Sequence, residues 1–106
     1  PEDVQRTLVS FTAETVTDAI RNFAPHIKEL RVCGGGAKNP LMISELALRN
    51  RDLLVATSAD LGVDPQDVEG LAFAWLAYRF DRRETGNLPS ATGASGSRIL
   101  GCLYPA

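Results

Sequence analysis

The apolar residues of this chain repeat first with the spacing of a helix and then in short unbroken runs. From Glu2 to Phe23 the spacing predicts one long helix whose buried stripe holds Val4, Leu8, Phe11, Val16, Ala19, Ile20 and Phe23. Pro25 ends this helix, because proline has no amide hydrogen to donate to the preceding turn. The short apolar segment at Glu29–Cys33 comes just before a run of glycines and predicts a buried strand.

A second helix and a second strand follow. Asn39 is a preferred capping residue and Pro40 suits a first helical turn, so a helix is predicted from there to about Asn50. Its inward side is predicted to hold Met42, Ile43, Leu46 and Ala47. The run Leu53–Ala56 lies within "DLLVAT" and is typical of a parallel strand that is covered on both faces.

The remainder of the chain predicts a third helix and a long loop. Asp64 and Pro65 repeat the pairing of cap and first turn, and the helix is predicted to run to about Phe80. Its apolar run, Trp75 included, is simplest to explain as core. After Gly86 we expect an ordered loop, anchored by residues that could also form a last short strand: Ile99, Leu100, Leu103 and Tyr104.

The alternation of helices and strands predicts an α/β fold with three helices around a short pair of strands. Right-handed crossover connections would make the two strands parallel. Two strands are too few for a stable sheet, so we expect further strands from missing chain or from a partner. A sheet edge that nothing covers would be an aggregation hazard.

Composition and charge narrow the class of protein. The 106 residues suit one domain, with 44% hydrophobic residues and a net charge of −2, which is normal for a soluble globular protein. The slight acidity disfavours nucleic acid as a partner, and the absence of a long apolar run or leader disfavours membrane insertion and export. Cys33 and Cys102 are far apart and outside any CxxC pair, which favours reduced thiols over a disulfide or zinc site. Because the chain opens at Pro1 on a helix, we expect a fragment of a longer protein.

The glycines Gly34–Gly36 lie where the first strand gives way to a helix, as expected where a phosphate or nucleoside approaches the backbone. A tight turn alone would need one or two of them. Neither common phosphate motif fits, because Asn39 stands where a dinucleotide motif has its third glycine, and Lys38 follows Ala37 where a P-loop has glycine. Lys38 could meet a phosphate or could simply be solvated.

Glu69 is the other candidate ligand residue. It lies in the first turn of the third helix, where the helix dipole alone favours a carboxylate. The functional alternative is that Glu69 holds a substrate hydroxyl at a cleft. His26 is the single histidine, and no base lies near the hydroxyls of Ser90, Thr92 and Ser95. No complete catalytic set and no metal site is therefore predicted.

Three blocks of the chain, "VCGGGAKNPLM", "EGLAFAWLAYR" and "NLPSATGASGSRILGCLYPA", resemble in order and spacing the C-terminal end of the anhydro-N-acetylmuramic acid kinases. The resemblance covers essentially the whole chain. It implies a partial ribonuclease-H-like lobe of the actin-like, sugar-kinase and heat-shock ATPase superfamily, here residues 1–106, with a parallel strand pair from a larger mixed sheet. These kinases act in the bacterial cytoplasm during cell-wall recycling. They use ATP and water to convert 1,6-anhydro-N-acetylmuramic acid to N-acetylmuramic acid 6-phosphate.

The resemblance also implies the roles of particular residues. Gly34, Gly35, Gly36, Ala37 and Asn39 would contact the nucleotide, and a further position, Glu69, would contact the sugar. The phosphate loop and the aspartate base of the family would lie upstream, so this chain would hold no catalytic residue and Mg²⁺ would be bound mainly through the missing lobe.

The resemblance further implies a homodimeric parent protein. Two other hypotheses remain. One is a non-catalytic nucleotide-binding or chaperone-like ATPase module of the same superfamily. The other is an isolated Rossmann-like domain, which the missing third glycine and the two-strand count disfavour.

Overall fold

The structure, a computed structural model, describes residues 1–105. The chain divides into two compact units, Pro1–Val68 and Glu69–Ala106. The helices and strands are α1 (Glu2–Phe23), β1 (Glu29–Val32), α2 (Pro40–Arg49), β2 (Leu54–Thr57), α3 (Asp67–Asp81) and the short α4 (Pro89–Thr92). Two 3₁₀ turns, Gly35–Lys38 and Ser58–Leu61, follow the two strands. The predicted helix–strand alternation is confirmed, with α4 as an additional short helix.

The two strands form a parallel pair, as the right-handed crossover rule predicts. Their register runs from Glu29 opposite Leu54 to Val32 opposite Thr57, so both strands end at the same edge of the sheet. The predicted bounds differ by a residue or two, because Cys33 lies beyond β1 and β2 starts one residue after Leu53. The turns that follow the strands therefore begin side by side.

The first unit is held together where α1 packs on α2. Its buried hydrophobic side chains are Ala13 on α1 and Leu46 on α2. No other hydrophobic side chain within residues 1–105 is buried. The helix α2 turns Leu46 inward together with Asn50, one turn later, whereas Ala47 is exposed. The prediction that Ala47 points inward is therefore wrong, because a helix advances by about 100° per residue and only one of its faces meets α1.

A buried pair of polar side chains joins the two helices. Thr17 is fully buried, and its Oγ1 donates to the Ala13 carbonyl at 2.8 Å while it accepts from Asn50 Nδ2 at 2.9 Å. The same Asn50 amide also donates to the Leu46 carbonyl at 2.8 Å. Because each buried polar atom has a partner, the pair stabilises the packing of α1 on α2 rather than opposing it.

Arg49, the last residue of α2, connects the two helices on the surface of the unit. Its Nε donates to Glu14 at 2.8 Å, its Nη1 pairs with the Glu45 carboxylate, and its Nη2 donates to Ser10 Oγ at 2.7 Å. The hydrogen bond to Glu14, followed by that to Glu45, raises the pKa of Arg49 above its ordinary value. The guanidinium is therefore a fixed positive charge that holds carboxylates of both helices.

Replacing Leu46 with alanine is expected to lower the free energy of unfolding by about 2–5 kcal/mol, the range for a buried leucine that leaves a cavity. Leu46 is only 3% exposed. The matched control is Leu48→Ala, which removes the same atoms from a position on α2 that is 61% exposed and should cost far less. Urea unfolding of both variants measures the difference, and equal losses would show that Leu46 is not core.

The predicted buried stripe of α1 is only partly correct. The residues that pack inward are Ala13 and Thr17, with Val16 and Ile20 half-buried. Most of the predicted stripe is exposed: Val4 is 62%, Leu8 59%, Phe11 69% and Phe23 85% exposed, and Ala19 is exposed as well. The helix therefore carries apolar residues on two sides, and only one of them meets α2 and the sheet.

The sequence predicted that the third helix begins at Asp64 and Pro65. In the structure, α3 begins at Asp67. The carbonyl of Pro65 accepts the Gly34 amide at 2.7 Å, and it is therefore directed at another segment instead of along the helix. Asp64 caps a turn just before the helix, since its Oδ1 accepts from the Gln66 amide at 2.8 Å.

The apolar run of α3 is not core in this structure, so that prediction is wrong. No residue of α3 is buried, and Phe73 is 64% and Trp75 51% exposed. Within the second unit, only the tail packs on the helix, along the side that carries Leu76 and Phe80. The tail is too short to cover a helix that is apolar on all sides.

The helix α3 ends in a Schellman motif, in which two amides bond back to the last turn. Glu84 N donates to the Arg79 carbonyl at 2.9 Å, and Arg83 N donates to the Phe80 carbonyl at 3.0 Å. Arg83 takes the left-handed conformation, φ 57°, where glycine is usual. The Arg79 guanidinium pairs with Glu84 at 2.6 Å and donates to the Thr85 carbonyl at 2.8 Å, which secures the turn into the tail.

The tail forms a loop that is closed at its base by Asn87. The Asn87 Oδ1 accepts from Arg98 N at 2.6 Å, and its Nδ2 donates to the Gly96 carbonyl at 3.1 Å. Gly86 N also donates to the Arg98 carbonyl, at 2.9 Å. The last short strand that the sequence allowed is not formed, because residues 99–105 contain no strand. None of the helices within residues 1–105 has the length and apolar character needed to cross a membrane.

Candidate functional site

The turn after β1 contains one glycine that the fold itself requires. Gly34 has a φ of 73°, a conformation that side chains rarely adopt, and its amide donates to the Pro65 carbonyl at 2.7 Å. Its own carbonyl accepts the Ala37 amide at 3.1 Å. Gly34 thus turns the chain out of the sheet and ties this turn to the segment that leads into α3.

Gly35 and Gly36 are not required by the local fold. Neither has a positive φ, and a Cβ built on either residue would meet no atom within 4 Å. Both are exposed. Since alanine would fit at both positions, turn geometry does not explain these two glycines. What they provide is uncovered backbone at the carboxyl edge of the sheet, which is where ligands bind in open α/β sheets.

Asn39 caps α2, as the sequence predicted. Its Oδ1 accepts from Leu41 N at 3.0 Å and from Met42 N at 3.4 Å, so the side-chain oxygen is already used by the helix. Its Nδ2 group makes no hydrogen bond within residues 1–105. Asn39 also lines a cavity of about 400 Å³ together with Gln5 and Arg6 of α1. Any contact of its side chain with a ligand would therefore be made by the amide hydrogens.

Ser58 is a polar residue at this edge that the sequence patterns did not single out. It follows β2 at the same edge at which the glycine turn follows β1, and it is only 8% exposed. Its Oγ is buried without a hydrogen-bond partner in the described part of the chain. Its position after a predicted strand was the available signal, but burial without a partner is visible only in the structure.

Replacing Ser58 with alanine is expected to raise the free energy of unfolding by about 1 kcal/mol, because it removes a hydroxyl that is desolvated without a partner. Thr17→Val is the control at another buried hydroxyl, and it should lower the same quantity by about 1–2 kcal/mol, since Thr17 Oγ1 has two hydrogen bonds. Urea unfolding compares the two. A clear loss of stability in Ser58→Ala would mean that the hydroxyl has a partner in solution.

Glu69 is the third residue of α3 and belongs to the second unit. Its side chain is exposed and makes no hydrogen bond or ion pair within residues 1–105. Its place in the first turn agrees with the sequence prediction, and the helix dipole favours a carboxylate there. The residues from Gly34 to Asn39 form one continuous turn in the first unit, whereas Glu69 is part of the other unit.

The other chemistry-bearing residues do not assemble into a site in the described part of the chain. Within residues 1–105, no group of three or more His, Cys, Asp and Glu side chains could hold a metal ion. His26 is exposed, and so are the tail hydroxyls of Ser90, Thr92 and Ser95. Cys33 and Cys102 are free and exposed. The glycine turn and Glu69 therefore remain the candidate ligand residues.

Comparison with known proteins gives a consistent result over the whole chain. The family model described as anhydro-N-acetylmuramic acid kinase matches residues 1–106. Proteins named anhydro-N-acetylmuramic acid kinase are similar to the chain over nearly its full length. Those of Burkholderia pseudomallei (strain 1710b) and Burkholderia orbicola are 54% and 55% identical over 99% of the chain, and that of Ralstonia nicotianae is 54% identical over 100%.

The chain spans 28% of the length of each of these relatives. A match over all 106 residues at this identity confirms the resemblance seen in the three sequence blocks. The chain belongs to the anhydro-N-acetylmuramic acid kinase family.

Proposed function

We propose that this chain is the C-terminal nucleotide- and sugar-binding lobe of an ATP-dependent kinase. The full protein would convert 1,6-anhydro-N-acetylmuramic acid to N-acetylmuramic acid 6-phosphate during cell-wall recycling in the cytoplasm. The observation that carries the proposal is the 54% identity, over essentially the whole chain, to proteins named for this activity. The lobe would have the actin-like, ribonuclease-H-like fold, and the two parallel strands would belong to a larger mixed sheet.

The glycine turn is the proposed nucleotide contact. Gly35 and Gly36 leave backbone uncovered where the fold would tolerate side chains, and this suits the close approach of a flat nucleoside. Ala37 continues the turn, and Asn39 has amide hydrogens that are not used by its helix cap. The residues present therefore fit ATP on its adenosine side, with Gly34 holding the geometry.

Glu69 is the proposed sugar contact. An exposed carboxylate without an intramolecular partner can accept hydrogen bonds from sugar hydroxyls, and such charge-assisted bonds are roughly twice as strong as neutral ones. The competing explanation is that Glu69 only complements the dipole of α3. The two explanations differ in what a neutral glutamine would change.

Phosphoryl transfer itself would depend on residues outside this chain. It requires positioning of the γ-phosphate, a metal ion and a residue that orients the attacking water. Mg²⁺ would neutralise charge on the phosphates when bound, and the described residues provide no carboxylate cluster to hold it. The part of the protein beyond these residues would supply the phosphate loop, the aspartate base and most metal contacts. The parent is proposed to act as a homodimer.

The activity is tested in the full-length protein that contains this chain. With ATP, Mg²⁺ and 1,6-anhydro-N-acetylmuramic acid, it should form ADP and N-acetylmuramic acid 6-phosphate in equal amounts, measured by coupled ADP release and mass spectrometry. Hydrolysis of ATP without sugar phosphate would contradict the kinase and favour a chaperone-like ATPase. Binding of ATP without turnover would favour a non-catalytic module.

The 106 residues alone are expected to show no kinase activity, because the proposed phosphate loop and base lie outside them. The same coupled assay, run on the isolated chain at high protein concentration, makes the measurement. The full-length protein, assayed in parallel at the same substrate concentrations, is the positive control. Turnover of the anhydro sugar by the isolated chain would contradict this prediction.

A further inference from the structure

The outer side of α1 carries a row of apolar residues that no other element of the first unit covers. Val4, Leu8 and Phe11 are spaced by four and three residues, so they lie along one line of the helix. They are between 59% and 69% exposed. Ala13 and Thr17, which are buried against α2, lie on the opposite side of the same helix. We call Val4, Leu8 and Phe11 the outer stripe.

Two apolar sides on one helix are typical of an interior helix. A surface helix has a single apolar stripe with polar residues opposite, whereas α1 is apolar both toward α2 and away from it. Soluble proteins rarely leave large apolar side chains contiguous and exposed without a partner. The outer stripe is therefore suited to contact with a further layer of protein.

An apolar groove continues this side of α1 toward the sheet. The groove has a volume of about 290 Å³ and lies between α1, β1 and α2, where Thr12 and Val16 face Leu30 and Val32. Within residues 1–105, β1 pairs only with β2, so its other edge has no strand beside it. Thr12 is one helical turn from Leu8, and the groove and the outer stripe are neighbouring surfaces of α1.

We infer that the outer stripe is covered, in the full-length protein, by the portion of the same polypeptide that lies outside these 106 residues. This inference rests on the proposed function only in assuming that the chain is part of a family-length protein. The length of that portion supports it, because the relatives are matched over only 28% of their length.

A second copy of the chain is the rival occupant. The exposed apolar residues of the first unit lie on several elements, including Phe23 on α1, Leu48 on α2 and Leu54 on β2. One two-fold interface, which uses a single patch on each copy, would not reach all of these elements. A large folded portion of the same protein can cover the outer stripe and also supply a strand beside β1.

Hydroxyl-radical footprinting of the full-length protein tests the inference without a substitution. Leu8 and Phe11 should be oxidised several-fold more slowly in the folded protein than in the same protein unfolded in urea. Rates in the folded protein that approach the unfolded rates would show an exposed stripe and overturn the inference. The measurement does not depend on kinase activity, so failure of the proposed function would be seen separately in the activity assay.

A variant identifies the occupant. Phe11→Gln keeps helix propensity and should lower the melting temperature of the full-length protein by about 5 °C or more. The control is Arg6→Gln, an exposed position on the same helix, which should have little effect. An unchanged melting temperature in Phe11→Gln would overturn the inference. A change from dimer to monomer in light scattering, with the stability of the monomer unaltered, would also overturn it and would assign the outer stripe to contact with another copy.

Discussion

Replacing Gly35 and Gly36 together with alanine is expected to weaken ATP binding about tenfold or more in the full-length protein, a loss of about 1.4 kcal/mol. A Cβ at either position meets no atom of the described chain within 4 Å, so the fold should accept both methyl groups. A nucleoside that rests on the bare backbone should not accept them, because it would be displaced by the added carbon.

The stability of the same variant should move in the other direction. Alanine at a compatible φ restricts the unfolded chain, and each change should raise the free energy of unfolding by about 0.4–1 kcal/mol. Gly70→Ala is the matched control, because Gly70 also has open space around its Cβ and an ordinary φ. It should raise stability without altering the KM for ATP.

The measurements are the KM for ATP in the coupled assay, ATP binding by calorimetry and the melting temperature. Loss of ATP affinity with retained stability would assign Gly35 and Gly36 to the nucleotide. If the double variant binds ATP as well as the unaltered protein, the nucleotide does not contact this turn.

Replacing Glu69 with glutamine is expected to lower kcat/KM for the anhydro sugar about 10²-fold in the full-length protein, with little change in the KM for ATP. A charge-assisted hydrogen bond to a substrate hydroxyl contributes about 1.5–3 kcal/mol, which corresponds to a change of this order. The side chain keeps its length, so the loss would reflect charge rather than shape.

Asp67→Asn is the matched control for the helix-dipole explanation. Asp67 is the first residue of α3 and is also an exposed carboxylate. If the dipole explains both carboxylates, each variant should lose a similar 0.3–1 kcal/mol of stability and neither should lose sugar affinity. A sugar defect in Glu69→Gln alone would support the ligand role, and equal sugar kinetics in both variants would remove it.

Much of the local structure could be predicted from the sequence. The bounds of α1 agree with the prediction, the cap at Asn39 is present, and the strands are within two residues of their predicted positions. These features depend on neighbouring residues, because caps, prolines and apolar spacing act within one or two turns. The start of α3 was not predicted correctly, because it depends on a distant residue: the Pro65 carbonyl accepts a hydrogen bond from the Gly34 amide.

The sequence by itself determined the α/β alternation, the position of the glycine turn and the family, because each depends on short stretches of neighbouring residues. Burial was decided only by the tertiary structure. The spacing in α1 does not show which of two apolar sides meets α2, and the composition of α3 does not show that Trp75 is half-exposed in this chain. The tertiary structure alone also shows that side chains would fit at Gly35 and Gly36 and that the Ser58 hydroxyl is buried without a partner. They depend on which atoms lie nearby in space, and that depends on residues far apart in the chain.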